Sequence, residues 1–129
     1  MISIDNSVWD VLLGAQNSLA VKLFFFIATN QPVDGTRGFR ITKKQLICDL
    51  QSSKTAIFRD LKWLKDNLLI HEMRLYDNFD FMANPHLVMN NSDRDVRIEE
   101  WNRRQRLDIQ RDIRLKHERK LRYLRNANK

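Results

Sequence analysis

Thr42-Lys43-Lys44-Gln45-Leu46-Ile47-Cys48-Asp49-Leu50, then Gln51-Ser52, then Ser53-Lys54-Thr55-Ala56-Ile57-Phe58-Arg59-Asp60-Leu61-Lys62-Trp63-Leu64 is the stretch that decides the fold. Thr42 and Gln45 have the spacing of a capping box, in which the hydroxyl accepts an orphan N–H and the glutamine reaches back to the cap. The helix so opened, Lys43 to Leu50, carries Leu46, Ile47 and Leu50 on one side. After the brief turn Gln51-Ser52, Ser53 caps a second helix from Lys54 to Asn67. Its core stripe is Ile57, Leu61, Leu64 and Leu68, at steps of four, three and four residues. Two capped helices joined by so short a turn form a helix-turn-helix.

Working outward, Ile70 to Tyr76 and Phe79 to Ala83 flank Asp77-Asn78. Met73 and Leu75 alternate with Glu72, Arg74 and Tyr76, and Phe79, Phe81 and Ala83 alternate with Asp80 and Met82. Period two around a two-residue turn predicts a hairpin, with Asn78 supplying the positive φ. Asn84-Pro85 ends it, since proline cannot continue a ladder. Upstream, Val8 to Leu13 stops at Gly14. Leu19 to Thr29, capped by Asn17 or Ser18, is apolar on most faces and therefore central. Gln31 to Gly38 is a loop, and Phe39, Arg40 and Ile41 make a short strand-like entry. Downstream no glycine or proline follows His86, so Ser92 can cap a helix running to about Asn126. The expected fold class is mainly α with a small β-hairpin (α+β), with residues 1–91 as the body and 92–129 as a basic helical tail.

Charge divides the chain at the same place. Residues 1–91 hold 10 Lys+Arg and 9 Asp+Glu, whereas residues 92–129 hold 13 and 7, so nearly all of the net +7 lies in the last third. A basic segment on a near-neutral body suits a polyanionic partner. Acid near the start of the tail helix and base towards its end also suit the helix dipole. The tail's heptad frame places Gln105, Asp108, Asp112 and Arg119 in the seam, which argues against a long coiled coil. A partly ordered arm that folds on its partner is expected instead, with Ile98 and Trp101 docking on the body or on a second copy. A cut after Asn102 is expected to leave a folded domain. Trp63, across the second helix from the core stripe, joins Ile98 and Trp101 as a candidate homodimer contact.

The single cysteine, Cys48, excludes an intrachain disulfide and suits a reducing, cytoplasmic setting. Asp5 and Asp10 interrupt any leader-like N-terminus, and the apolar run Leu19 to Ala28 is too short to span a bilayer. His71, His86 and His117 lack metal-ligand spacing with one another or with Cys48, and the three glycines form no phosphate-cradling loop. No catalytic residue, cofactor or metal site is expected, and the chain reads as a non-enzyme.

The order of helix, capped helix, turn, second helix and hairpin, with the run Thr55-Ala56-Ile57-Phe58-Arg59-Asp60-Leu61-Lys62-Trp63-Leu64 and Leu69-Ile70, resembles bacterial winged helix-turn-helix DNA-binding proteins. The resemblance implies that Ser53, Lys54, Thr55, Arg59 and Lys62 enter the major groove of double-stranded DNA. These residues also lie off the core stripe, where Arg59 suits a guanine edge and Ser53 and Lys54 suit phosphate. Lys43, Lys44 and Arg74 complete the expected DNA contacts on the body, and Arg103, Arg104, Arg106, Arg111 and Arg114 those on the tail.

Two positions depart from the family pattern. Phe58 stands where a small polar residue is usual, and Leu68 replaces a helix-ending glycine, leaving Asn67 as the expected left-handed residue. Asp77 and Asp80 make the wing acidic, so Arg74 is its better DNA contact. A narrower likeness, from Thr42 to Val88 and including Phe81-Met82-Ala83-Asn84-Pro85-His86-Leu87-Val88, is similar to RepL-type plasmid replication proteins. It implies plasmid or phage replication initiation with replication proteins as further partners. The alternatives are a winged-helix transcriptional regulator and an interaction or assembly module without base readout.

Because Leu61 sits at the middle of the stripe, Leu61→Ala should cost about 2–5 kcal/mol of stability. A urea midpoint close to that of the parent would show that the helix faces are assigned backwards.

Overall fold

The computed structural model describes residues 2–32, 35–90 and 94–127. The order is β1 (Ile2–Ile4), α1 (Ser7–Leu12), α2 (Ser18–Thr29), β2 (Phe39–Thr42), α3 (Lys43–Leu50), α4 (Lys54–Asp66), β3 (Ile70–Leu75), β4 (Asn78–Ala83), β5 (Val88–Asn90) and α5 (Arg94–Ala127). Two antiparallel sheets form: a three-stranded one in the order β2-β4-β3, and a short ladder of β1 on β5. With α3, a tight turn, α4 and the β3–β4 hairpin in succession, the architecture is a winged helix-turn-helix with a C-terminal helical extension, the fold class expected.

The caps explain the boundaries. Thr42 Oγ1 accepts from Gln45 N at 3.0 Å, and Ser53 Oγ accepts from Ala56 N at 3.2 Å. The box at α3 is only half made, because the Gln45 amide donates forward to Asp49 Oδ1 at 2.6 Å instead of back to the cap. The turn between the helices is closed by Gln51, whose φ of 50° reverses the chain after α3. At the end of α4, Leu68 N donates to Lys65 O and Leu69 N to Leu64 O, both at 3.0 Å. This is a Schellman motif with Leu68 in its left-handed position. Leu68 therefore has φ 57°, while Asn67, expected there, has φ −92°. The swing also places Leu68 56% exposed and lets Leu69 take its place in the core. Asn84 braces this turn: its backbone N–H donates to Leu69 O and its side-chain amide to Leu68 O.

In the hairpin, the positive φ falls on Tyr76, at 57°, and not on Asn78, which pairs with Leu75 as the first ladder residue. The strands β1 and β5, absent from the sequence reading, tie the N-terminus to the segment after the wing. Asp5 N extends that tie by donating to Leu87 O at 2.7 Å.

The core gathers Val8 and Leu12 of α1, Leu23, Phe24 and Ile27 of α2, Leu46 of α3, Ile57, Leu61 and Leu64 of α4, and Phe79 and Phe81 of β4. Burying these side chains is the main source of stability, at about 1.5–3 kcal/mol for each large one. On β4, however, burial does not alternate. Asp80 and Met82, expected on the solvent side, are as buried as Phe79 and Phe81. The start of α5 covers that second face, and Arg97, Glu100, Trp101 and Arg104 are buried there.

Polar anchors hold α5 in place. Arg104 Nη1 meets Asp80 Oδ1 at 2.9 Å, with 4% and 1% of the two side chains exposed. Arg104 Nε also donates to Glu100 Oε1 at 3.1 Å. Arg97 donates to Gln31 Oε1 at 2.8 Å and to the Gly35 and Arg37 carbonyls, closing the loop before β2 onto the helix. His71 on β3 pairs through Nε2 with Asp108 at 2.7 Å, and its ring stands edge-on to Trp101. Gly38 is required by this packing: a Cβ there would lie 2.5 Å from the Phe81 carbonyl oxygen and 2.2 Å from Asp80 Oδ1.

The tail is thus a continuous helix whose first turns belong to the body and whose remainder, 109–127, is exposed throughout. The proposed Ser92 cap and the 91/92 boundary lie outside the described residues. A cut after Asn102 would remove Arg104 and Asp108, and so take the buried cation from Asp80 and the carboxylate from His71.

Arg104→Ala, which removes the buried partner of Asp80 and leaves it only the half-exposed Arg40 and the Gly38 N–H, should therefore cost about 3–5 kcal/mol. A chain ending after Gln110 should keep the parent's urea midpoint, and one ending after Asn102 should not; equal midpoints would show that the buried pair contributes nothing.

His71 adds a pH dependence. Burial holds its imidazole below the ordinary 6.5, outweighing the upward pull of Asp108, while Arg104 lowers it and Asp80 raises it. The unfolded chain then takes up a proton that the folded chain resists. Stability that is full above the unfolded value is lost as the pH falls below it. Urea midpoints should drop between about pH 7.5 and about pH 5.5 by more in the parent than in His71→Gln; equal drops would assign the acid sensitivity elsewhere.

Candidate nucleic-acid interface

Helix α4 buries Ile57, Asp60, Leu61 and Leu64, and leaves Thr55, Arg59, Lys62 and Asp66 exposed along the opposite face. Steps of four, three and four residues keep these four on one stripe. Three of them are expected base or phosphate contacts; the fourth, Asp66, closes the stripe with an acid that pairs with Lys62 at 3.5 Å. Ser53 and Lys54 are exposed at the start of the helix, and the Ser53 oxygen is already an acceptor in the cap.

Arg59 is more constrained than its sequence position suggests. Its Nε and Nη2 donate to the two carboxylate oxygens of Asp60 at 3.1 and 3.4 Å, which raises its pKa. Asp60 is buried, so Arg59 also serves to neutralise it. The Arg59 side chain nonetheless remains 56% exposed.

Beside α4 lies a groove of about 460 Å³ between the helix starts and the hairpin, lined by Thr42, Lys43, Lys44, Phe58, Arg74, Tyr76, Asp77, Asn78 and Phe79. Phe58, half-buried, lines this groove and does not stand free on the α4 surface. Its ring turns to the wing and meets Phe79 at 6.1 Å. Lys43 Nζ stands 5.2 Å and Lys54 Nζ 5.9 Å from the Phe58 centroid, and the Arg74 guanidinium 5.6 Å from that of Phe79. The aromatic faces attract these cations while the cations repel each other. The Lys43 pKa falls below its ordinary value, chiefly because of Lys54, with burial, the charge of Lys54 and that of Arg74 adding to the effect.

The wing is less acidic at its surface than its sequence indicates. Asp80 is buried and neutralised by Arg104 and Arg40, so of the two wing acids only Asp77 is exposed. The tip instead presents Tyr76, fully exposed. No sequence signal singled it out, because strand alternation assigns it only to a polar face.

On the tail, Arg106, Arg111 and Arg114 are exposed; Arg111 pairs with Asp108 at 3.4 Å and Arg114 with Glu118 at 3.9 Å. Arg103 is half exposed and bound to Glu100, Nε to Oε2 at 2.8 Å. Arg104 is removed from the set of DNA contacts, since it is buried and committed to Asp80 and Glu100. Trp101 is likewise removed from the dimer candidates, being buried in its own chain, while Trp63 and Ile98 are half-buried. Among the described residues, no group of three His, Cys, Asp or Glu side chains is placed to hold a metal ion. Among them too, no helix is long and apolar enough to cross a membrane.

No protein-family model and no curated protein matches the chain. Among solved structures, HlyU from Vibrio cholerae N16961 is similar, with 18% sequence identity and a TM-score of 0.44, over 74% of this chain and 87% of that one. So distant a likeness carries no functional weight, and the winged-helix arrangement rests on the helices and sheet described above.

Proposed function

We propose that this protein binds double-stranded DNA in a sequence-specific way, with α4 as the reading helix. One observation carries the reading: the exposed stripe of Thr55, Arg59 and Lys62 on the second helix of a helix-turn-helix, bordered by the groove of Lys43, Lys44 and Arg74 and by Lys54 over the Phe58 ring. A helix of this kind offers side chains to base edges, while flanking cations neutralise phosphates and set the register. Thr55 suits a thymine methyl or a base-edge acceptor, and Arg59 a guanine. Lys44, Ser53 and Lys54 serve as phosphate contacts. Arg106, Arg111 and Arg114, with the outer edge of Arg103, add phosphate affinity along the tail.

Within this reading, replication initiation rests on the RepL-like run from Thr42 to Val88 alone, and a transcriptional regulator would use the same face. Self-association through Trp63 and Ile98, and contact with replication proteins, belong to the same proposal. The exposed Ile109, Ile113 and Leu124 favour a protein contact for the far end of the tail, the one observation on the side of an assembly role.

Selection of bound duplexes from a random pool tests the proposal, and should enrich one sequence whose binding weakens steeply with salt. Arg59→Lys, which keeps a charge beside Asp60 but loses the planar fork, should weaken binding to the enriched duplex by about 1–3 kcal/mol and leave a scrambled duplex unchanged. A pool that shows no enrichment would remove base readout and leave the assembly role.

A further inference from the structure

A like-charge cluster of two lysines and one arginine stands at the groove between the helix starts and the wing. Lys43 comes from the first turn of α3, Lys54 from the first turn of α4 and Arg74 from β3, so three separate elements deliver cations to one pair of rings. Among the described residues, Lys43 and Lys54 have no carboxylate within ion-pair distance. Arg74 lies 3.7 Å from Glu72, whose carboxylate is already held by Lys65 at 3.0 Å. Asp77 lines the groove but forms no ion pair with the three cations. Such an arrangement costs free energy in the empty protein, and an anion entering the groove would reverse that cost.

We propose that Lys43, Lys54 and Arg74, over the floor of Phe58 and Phe79, form a seat for one phosphate group of a nucleic-acid backbone. It rests on the DNA-binding reading for the source of the phosphate. The seat goes beyond that reading in what it does: a single phosphodiester is gripped by both helices of the helix-turn-helix and by the wing together. Phe58 is then a positioning residue, whose ring keeps the two ammonium groups close enough to share one anion. The first turn of α3 adds its dipole in the same sense.

The signature of a shared phosphate is non-additivity. Each phosphate neutralised contributes a slope of about 0.9 to the dependence of log K on log salt. With the full chain and a random-sequence duplex, Lys43→Gln/Lys54→Gln should lower the slope by no more than about 0.9 in total, since Arg74 still faces the shared phosphate, where two independent contacts would lower it by about 1.8. Inorganic phosphate, added without DNA, should shift the Lys43 and Lys54 side-chain resonances of the parent and return the depressed Lys43 titration toward its ordinary value. The double variant should melt close to the parent, because the repulsion it relieves offsets the attraction to the Phe58 ring that it gives up, and this separates a ligand seat from a structural role. A slope change near twofold larger, or a lowered melting temperature, overturns the seat and leaves the DNA-binding reading intact. Binding of inorganic phosphate with no binding of any duplex overturns the backbone assignment and the DNA-binding reading together.

Discussion

The buried pair of Asp80 and Arg104 is the constraint around which the rest of the molecule is arranged. An isolated carboxylate on the middle strand of a sheet would be prohibitively costly in a dry interior. Here Asp80 receives Arg104 from α5, Arg40 from the neighbouring strand and the N–H of Gly38 from the loop before it. Each partner brings its own segment with it. Arg104 draws the helix across the sheet, where Trp101 and His71 pack beneath it. Gly38 draws the loop so close that no side chain fits at that position. What begins as one acidic residue on a wing strand thus converts a two-layer winged helix into a body with both sheet faces covered.

This has a direct bearing on the candidate interface. With its second face sealed by α5, the sheet presents to solvent mainly the hairpin tip and the edge facing α3 and α4. The wing is therefore a fixed wall of the cationic groove, and the separation of Lys43, Lys54 and Arg74 follows from packing between Phe58 and Phe79. Ion pairs at the surface, such as Lys62 with Asp66, contribute little to stability. Three pairs made with more buried acids have another role: Arg59 is oriented by Asp60, and Lys65 and Arg74 by Glu72. Orientation limits the rotamers such side chains must give up when they meet a ligand.

Much of this was legible from residue order alone. Thr42 and Ser53 marked the starts of α3 and α4, because a side-chain oxygen ahead of an apolar stripe has little else to satisfy than orphan N–H groups. The spacing of Ile57, Leu61 and Leu64 identified the buried face of α4, and by exclusion the exposed one. Period two from Ile70 to Ala83, and the Asn84-Pro85 step, located the wing. These features are local, and neighbouring residues in the chain carry the physics that produces them.

What tertiary structure alone decided concerns contacts between residues far apart in the chain. Arg104 looks in sequence like any other cation of a basic tail, and Asp80 like any polar residue facing solvent; only their meeting across 24 positions makes both interior. Phe58 reads as an exposed ring until Phe79 arrives from β4 to hold it. The left-handed residues fell on Leu68 and Tyr76, not on the asparagines that tolerate that conformation best, because Asn84 and the strand register fix those turns from outside. Sequence pattern determines which face of an element is apolar and where that element begins. Which polar side chains are spared for a ligand depends on what the fold has already spent on burying charge, and no local pattern records that.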